Sequence, residues 1–212
     1  MSSADAPLTL HWSPSAPFVR KVLICAHEAG LIDRIQNVRT PVAPQRPNAV
    51  LLGGDNPLSK VPALVVPGVG PLYDSRVICE YLDSLHDGPR LFPQGPARWA
   101  ALRQQALGDG MSDIVILWRD EIMRGDKSSP GHLSAMNAKM EAALDQAERD
   151  APSLDRPFDI GHIGLGCALS YLDFRLSEIE WRTNRPALSA WYDIFASRPS
   201  VAAYPLTSDK PV

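Results

Sequence analysis

The sequence changes character at a segment rich in proline and glycine, residues 87–96, and this change limits the folds that the chain can adopt. The residues there that interrupt helices and strands are Gly88, Pro89, Pro93, Gly95 and Pro96. Patterns typical of strands precede this segment, and helical periods follow it. We therefore predict an α/β domain at residues 1–86, a linker at 87–96 and an all-helical domain at 97–212.

Apolar runs and turn signals predict the elements of the first domain. The predicted strands are residues 8–12, 34–38, 63–66 and 72–73, and the predicted helices are residues 18–29 and a segment that begins at Asp74 or Ser75. Residues 40–55 are predicted to form a loop with an irregular helical turn. This order predicts a parallel strand pair joined by a crossover helix, then a hairpin and a helix, which together make a small mixed sheet.

Apolar residues at helical spacing predict four helices in the second domain. They are residues 97–124, 132–150, 160–176 and a last helix that begins at Pro186 and ends at Arg198–Pro199. In the first of them, Met111, Val115 and Trp118 lie on one stripe, and such a stripe more often packs in a core than lines a pocket.

Composition and charge exclude several classes of protein. Of the 212 residues, 45% are apolar and 21% are charged, as in ordinary globular proteins. The net charge of −3, without a basic stripe, argues against nucleic-acid binding. No apolar run reaches the roughly 20 residues of a membrane span, and residues 1–7 lack the pattern of a secretory signal. Three widely spaced cysteines then indicate reduced thiols and a cytoplasmic protein.

A candidate binding arm lies at Lys60 and Val61. A residue before proline is held in extended geometry, so Val61 is able to present its backbone N–H and C=O to a ligand as an edge strand would. Lys60 would pair with a ligand carboxylate. The alternative is that Val61–Pro62 only starts an edge strand and that Lys60 is a solvated charge.

Asp74 and Ser75 lie where the second helix begins, and both are favoured helix caps. The same position suits a ligand, since a helix N-terminus binds a carboxylate through its N–H groups and dipole. Ser75 would add a hydroxyl donor, and Asp74 would bind an ammonium group. With Lys60 at the other end, these residues fit a peptide with a zwitterionic head and a carboxylate tail, such as γ-glutamyl-cysteinyl-glycine.

Two hydroxyl residues, Ser13 and Ser15, precede the first helix. One interpretation is that they cap the helix. The other is that a hydroxyl donor at the positive end of the helix lowers the pKa of a nearby thiol from about 8.5 towards neutrality. The residues alone leave both alternatives open.

Four segments of the chain resemble the cytosolic glutathione S-transferases, in particular bacterial members of the serine type. These segments are SAPFVRK at 15–21, NPLSKVPAL at 56–64, LYDSRVICEYLD at 72–83 and PALSAWYDIFASRPSVAA at 186–203. The resemblance implies a thioredoxin-like N-terminal domain (βαβαββα) that binds glutathione as co-substrate. It also implies an all-α domain that shapes the pocket for a small hydrophobic electrophile, a homodimer and a role in detoxification.

The resemblance assigns roles to residues of the glutathione site. Lys60 would contact the glycine arm, and Val61, ahead of a cis Pro62, would hydrogen-bond the cysteinyl amide. Asp74 and Ser75 would hold the γ-glutamyl group.

Further roles concern the thiol and the second substrate. Ser15 is the expected thiol-activating residue, and Ser13 is the alternative one register shift away. Phe18 is expected beside the glutathione. The expected pocket residues for the electrophile are Trp12, Met111 and Trp118.

Two departures from the family pattern affect these expectations. Ala16 stands where thiol-transferase-type classes have a cysteine, which argues against a mixed disulfide with the protein. His162 replaces the aspartate of a capping box that begins at Asp159, which puts the stability of that helix start in doubt. The five histidines show no metal-ligand spacing, so no metal is expected. A non-catalytic binding module, or a glutathione-dependent dehalogenase or isomerase, is the alternative function.

Overall fold

The computed structural model describes residues 6–43 and 45–208. Its strands are β1 (Leu8–Trp12), β2 (Ile35–Arg39), β3 (Ala63–Val66) and β4 (Gly70–Leu72). Its α-helices are α1 (Pro17–Glu28), α2 (Ser75–Ser84), α3 (Pro96–Ile122), α4 (Pro130–Asp150), α5 (Ile160–Arg175), α6 (Pro186–Ala196) and α7 (Pro199–Ala202). Short helical turns lie at Ile32–Arg34, Leu51–Asp55, Gly125–Lys127 and Ala151–Leu154. This order confirms the predicted fold, a thioredoxin-like α/β half followed by helices.

The four strands form one mixed sheet in the order β2-β1-β3-β4. β1 and β2 run parallel, with α1 as their crossover, whereas β3 is antiparallel to both β1 and β4. α1 ends at a turn in which Gly30 has a φ of 67° and the Leu31 N–H donates to the Ala26 carbonyl at 2.8 Å. The turn lets the chain leave the helix and return as β2.

The chain divides into two compact units. Pro93–Ala202 forms a helical unit, and the described residues on either side of it form an α/β unit. Segment 203–208, which we expected in the helical domain, lies with the α/β unit because the Thr207 N–H donates to the Pro14 carbonyl at 3.1 Å. The predicted division at residues 87–96 otherwise stays a prediction.

The core of the α/β unit lies between the sheet and its helices, and α1 and α2 pack against each other. Its fully buried side chains include Leu10, Val22, Ile24, Leu64, Ile78 and Leu82. Burying each such side chain is worth roughly 1.5–3 kcal/mol. Cys25 and Cys79 are buried in this core, and Cys167 is buried in α5.

In the helical unit, α3 and α5 pack closely against each other. A Cβ atom on Gly108 would lie 2.3 Å from the backbone carbon of Gly164, so this approach requires glycine. α5 is buried over most of its length, and its bounds lie within one residue of the predicted helix at 160–176. Within residues 6–43 and 45–208, each helix is too short or too polar to span a membrane.

Candidate functional site

The turn between β1 and α1 carries the two candidate hydroxyls. The Ala16 N–H donates to the Ser13 carbonyl at 3.2 Å, which closes the turn. The hydroxyl oxygens of Ser13 and Ser15 lie 3.3 Å apart. Ser13 is only 5% exposed, whereas Ser15 is half-buried. The N-cap of α1 is Ala16, and no side chain makes a capping hydrogen bond there. Of the two interpretations of these serines, the one in which a serine caps the helix is therefore wrong.

The Lys60–Pro62 arm enters β3 directly. The Val61–Pro62 peptide bond is cis, as the resemblance implied. Asn56 braces the preceding loop, because its carboxamide donates to the Lys60 carbonyl at 2.8 Å and accepts from the Leu58 N–H at 3.0 Å. Lys60 is exposed, while Val61 and Pro62 are buried. The arm is thus a braced loop with an exposed cation at its end.

At the start of α2, the sequence left open whether Asp74 or Ser75 is the cap. Asp74 is the N-cap, and its carboxylate accepts from the Arg76 N–H at 3.0 Å. Ser75 is the first helical residue and is buried, whereas Asp74 is exposed. The Asp74 carboxylate thus caps the helix and also faces solvent, where a ligand ammonium group has access to it.

The sheet brings these three segments to one edge. β1 and β3 are antiparallel with His11 opposite Ala63, so the end of β1 and the start of β3 lie side by side. β4 is antiparallel to β3 with Leu72 opposite Leu64, so the end of β4 reaches the same edge. A single region is therefore surrounded by three segments. They are the turn at residues 13–16 after β1, here called the serine turn, the arm at 60–62 before β3 and the helix start at 74–75 after β4.

Residues 203–207 line a cavity beside this region, a contribution that sequence reasoning missed. The cavity has a volume of about 240 Å³, and its lining includes Ser13 but not Ser15. The rest of the lining comes from one face of α1, from the 203–207 segment and from Trp12, Pro14, Ala16 and Asn37. Arg20 holds the segment, because its Nε–H donates to the Tyr204 carbonyl at 2.6 Å. Trp12 and Ser13 both line the cavity, so the predicted Trp12 lies beside a candidate hydroxyl. Segment 203–207 has no periodic pattern that could have revealed its place.

The remaining pocket candidates lie on two different elements. Phe18 is half-buried on α1, with the Lys21 ammonium 5.6 Å from its ring centroid. Met111 and Trp118 lie on α3 in the helical unit, where Met111 is 1% exposed and Trp118 is partly exposed. A role of these three residues at the site stays a prediction.

The helix start at Asp159 is satisfied despite the His162 substitution. The Asp159 carboxylate accepts from the N–H groups of Gly161 and His162, and Nδ1 of His162 lies 3.1 Å from the Asp159 N–H. Nε2 of His162 lies 3.0 Å from the Leu154 carbonyl. The expectation that the missing carboxylate weakens this helix start is therefore wrong, because the imidazole ring of His162 completes the capping box.

Charged neighbours also affect the pKa of Asp159. Burial raises this pKa, but hydrogen bonds with His162 and with the Arg156 guanidinium outweigh burial and leave the pKa below its ordinary value of 3.8. The shortest contact with Arg156 is 2.8 Å. The carboxylate therefore stabilises the folded helical unit in its ionised form.

Two further features of the described part of the chain are its potential metal ligands and the buried thiol of Cys25. Among these residues, no group of three or more His, Cys, Asp or Glu side chains is placed to hold a metal ion. A hydrogen bond with Cys79, together with burial, raises the pKa of the Cys25 thiol well above its ordinary value. Although Cys25 lies in α1, it is thus a poor nucleophile.

Family models and curated relatives match most of the chain. The chain matches the glutathione S-transferase N-terminal domain over residues 15–85 and the glutathione S-transferase C-terminal domain over residues 130–193. It is 29% identical to the uncharacterized GST-like protein YibF of Escherichia coli K12, covering 90% of this chain and 94% of that protein. It is 30% identical to glutathione S-transferase L1 of Arabidopsis thaliana, covering 89% of this chain and 78% of that protein.

A solved structure extends the likeness to three dimensions. It is a glutathione transferase family member from Pseudomonas fluorescens Pf-5, crystallised with bound glutathione, and it covers 95% of this chain and 100% of its own. The TM-score is 0.91 at 40% sequence identity. Matching domains, relatives and fold together show that the chain belongs to the glutathione S-transferase family.

Proposed function

We propose that the protein is a glutathione S-transferase that activates the glutathione thiol for attack on a small hydrophobic electrophile. The observation that carries this proposal is the convergence of the serine turn, the Lys60–Pro62 arm and the Asp74–Ser75 helix start at one sheet edge. Two solved structures of a relative from Pseudomonas fluorescens Pf-5, 39–40% identical to this chain, carry glutathione or a glutathione conjugate. Homodimerisation, a cytoplasmic location and a detoxifying role belong to the same proposal.

Each end of glutathione has a chemical partner in this arrangement. The γ-glutamyl carboxylate would meet the N-terminus of α2 and the Ser75 hydroxyl, and its ammonium group would meet the Asp74 carboxylate. Val61 would pair with the cysteinyl amide, and Lys60 would pair with the glycine carboxylate. The thiol would then lie near the serine turn at the start of α1.

Thiol activation would come from hydrogen bonding and the helix dipole. A hydroxyl donor and the positive end of α1 both stabilise a thiolate relative to a thiol. We assign the donor to Ser15, because it is more exposed than Ser13, and Ser13 is the alternative. Because Ala16 stands at the cysteine position of thiol-transferase-type classes, the protein forms no covalent intermediate in this mechanism.

The electrophile is expected next to the thiol. The 240 Å³ cavity beside Ser13 has Trp12, Val19 and Leu23 among its apolar lining residues. This volume is below the roughly 300–1,000 Å³ of pockets for drug-sized ligands, so the cavity suits a small apolar group. Met111 and Trp118 are the proposed contribution of the helical unit.

The test is the thiol pKa of glutathione bound to the purified protein, read from thiolate absorbance in the ultraviolet across pH. We expect a pKa lowered by about one unit or more relative to free glutathione, which corresponds to about 1.4 kcal/mol. Turnover with a small aromatic electrophile should follow the same titration. Binding without a shift would favour a non-catalytic glutathione-binding module. Absence of binding at millimolar glutathione would refute the proposal.

A further inference from the structure

His11 is a buried polar residue of β1 to which the proposed chemistry gives no role. It is 4% exposed. Its Nε2 atom lies 2.9 Å from Oδ2 of Asp55, and its Nδ1 atom lies 2.8 Å from Oγ1 of Thr40. Since a carboxylate only accepts hydrogen bonds, Nε2–H is the donor to Asp55. With the ring proton on Nε2, Nδ1 accepts from the Thr40 hydroxyl, whose oxygen also lies 3.0 Å from the Val38 carbonyl.

The contacts of His11 reach both ends of the loop 56–62. The loop begins directly after Asp55, which the His11 ring holds. It ends directly before Ala63, which lies opposite His11 in the register of β1 and β3. One residue of β1 therefore anchors both ends of the loop, one end through its side chain and the other through its backbone position.

This loop carries the arm proposed to bind glutathione. Its first residue, Asn56, is 2% exposed and is bonded through its carboxamide to the Lys60 carbonyl at 2.8 Å. A displacement of Asp55 therefore passes through Asn56 to the backbone directly before Val61. The His11 ring lies at the beginning of this chain of contacts.

We propose that His11 is a positioning residue that sets the distance between the glutathione-binding arm and the thiol-activating turn. In sequence it lies two residues before Ser13, and in space it anchors the loop that ends in Val61. The inference rests on the proposed function, because it concerns the placement of the same peptide. When the His11–Asp55 bond is lost, the arm shifts relative to Ser15 and the thiol no longer meets its donor.

The test compares two variants, Asp55→Ala and Asp55→Asn, with a matched control, Asp173→Ala. The side chains of Asp55 and Asp173 are 33% and 34% exposed, and each is bonded to a basic side chain, His11 and Arg182 respectively. Asp173 lies in the helical unit and is not one of the residues assigned to the proposed site. The dissociation constant of glutathione is measured by calorimetry, the pKa of its bound thiol by ultraviolet absorbance, and folding by thermal melting.

We expect Asp55→Ala to weaken glutathione binding by about tenfold and to raise the pKa of the bound thiol, because small misplacements of reacting groups have large effects. Asp55→Asn keeps an acceptor oxygen for Nε2–H and should stay within about twofold of the wild type. Asp173→Ala should lower thermal stability without changing the binding or the thiol pKa. If the role of Asp55 were purely structural, Asp55→Ala would behave like Asp173→Ala and lower thermal stability without changing glutathione binding or the thiol pKa. That result would overturn the inference.

A double-variant cycle tests whether His11 and Asp55 act as one link. If they do, His11→Phe combined with Asp55→Ala should bind glutathione no more weakly than His11→Phe alone. Losses that simply add would overturn the inference. If the His11 variants do not fold, the Asp55→Ala and Asp55→Asn pair decides the question, since Asp55 is partly exposed. A wild type that neither binds glutathione nor lowers its thiol pKa would refute the proposed function itself.

Discussion

The starts of α1 and α5 differ in how their N–H groups are satisfied. At α5, the Asp159 carboxylate accepts from the N–H groups of Gly161 and His162 at 2.9 and 3.2 Å, and the His162 ring bonds back. At α1, the N-cap residue is Ala16, no side chain caps the helix, and Pro17 follows directly. Proline has no N–H to satisfy, so α1 begins with a helix-compatible residue but without a carboxylate or hydroxyl cap.

This difference separates a helix end that serves folding from one that is suited to a ligand. Asp159 and His162 are 4% and 3% exposed, so the start of α5 is closed by buried side chains. The start of α1 follows the serine turn, where Ser15 is half-buried and accessible. A helix dipole that no side-chain charge neutralises is better able to stabilise a thiolate. We therefore expect substitutions at α5 to change stability and substitutions at α1 to change thiol chemistry.

The largest effect is expected for Asp159→Ala at the start of α5. The variant loses a buried cap and leaves the Arg156 guanidinium without its carboxylate acceptor, so the free energy of unfolding should fall by about 3 kcal/mol. Ser129→Ala is the control, since Ser129 caps α4 through one long hydrogen bond of 3.4 Å in an exposed setting. Its expected loss is below about 1 kcal/mol. Urea unfolding measures both, and equal losses would contradict the special role of Asp159.

A smaller effect, on chemistry rather than stability, is expected for Ser15→Ala. Loss of the hydroxyl donor should raise the pKa of bound glutathione by about one unit, or about 1.4 kcal/mol, and leave urea unfolding nearly unchanged. Ser13→Ala is the matched control in the same turn and should shift the pKa less. A larger shift in Ser13→Ala would exchange the two roles. No shift in either variant would show that these hydroxyls do not activate the thiol.

The start of α2 lies between these two cases, and Asp74→Asn separates its two roles. Asparagine caps helices about as well as aspartate, so unfolding should be unchanged. The loss of an exposed charge pair with the γ-glutamyl ammonium should weaken glutathione binding by roughly three- to fivefold, or at most about 1 kcal/mol. Calorimetry measures the affinity, and Asp74→Ala, which also loses the cap, serves as the comparison. Unchanged affinity in both variants would remove Asp74 from the site.

Local pattern predicted most of the α/β unit, although β4 begins at Gly70 and not at the predicted residue 72, because its sequence Gly-Pro-Leu has no period. The predicted bounds of β1 and β3 are those of the structure, and β2 is shifted by only one residue. The serine turn, the 60–62 arm and the 74–75 helix start could all be named, because short motifs carry them.

Contacts between distant residues could not be predicted in this way. His11 meets Thr40 and Asp55, which are 29 and 44 residues away, and no spacing rule connects such positions. His162 illustrates a different limit, because the motif suggested a missing carboxylate whereas the imidazole ring supplies the reciprocal bond. Chemical equivalence between unlike side chains depends on geometry that only the folded structure provides.

The smallest expected effect is the acid dependence of stability that Asp159 confers. Its pKa is below 3.8 in the folded state, because the hydrogen bonds with His162 and Arg156 outweigh burial. The stabilisation is therefore present above the unfolded pKa of about 3.9 and is lost as the pH falls through the lower folded value.

Asp159→Asn cannot titrate, so the difference in free energy of unfolding between wild type and variant should be constant near neutral pH and should shrink below about pH 4. Urea unfolding of both proteins across this pH range measures the difference. His162 Nδ1 lies 3.1 Å from the Asp159 N–H and 2.8 Å from its carboxylate, so the ring has a partner whether Nδ1 accepts or donates. A difference that stayed constant below about pH 4 would mean that the capping box acts through shape alone, as it does when an uncharged residue caps a helix.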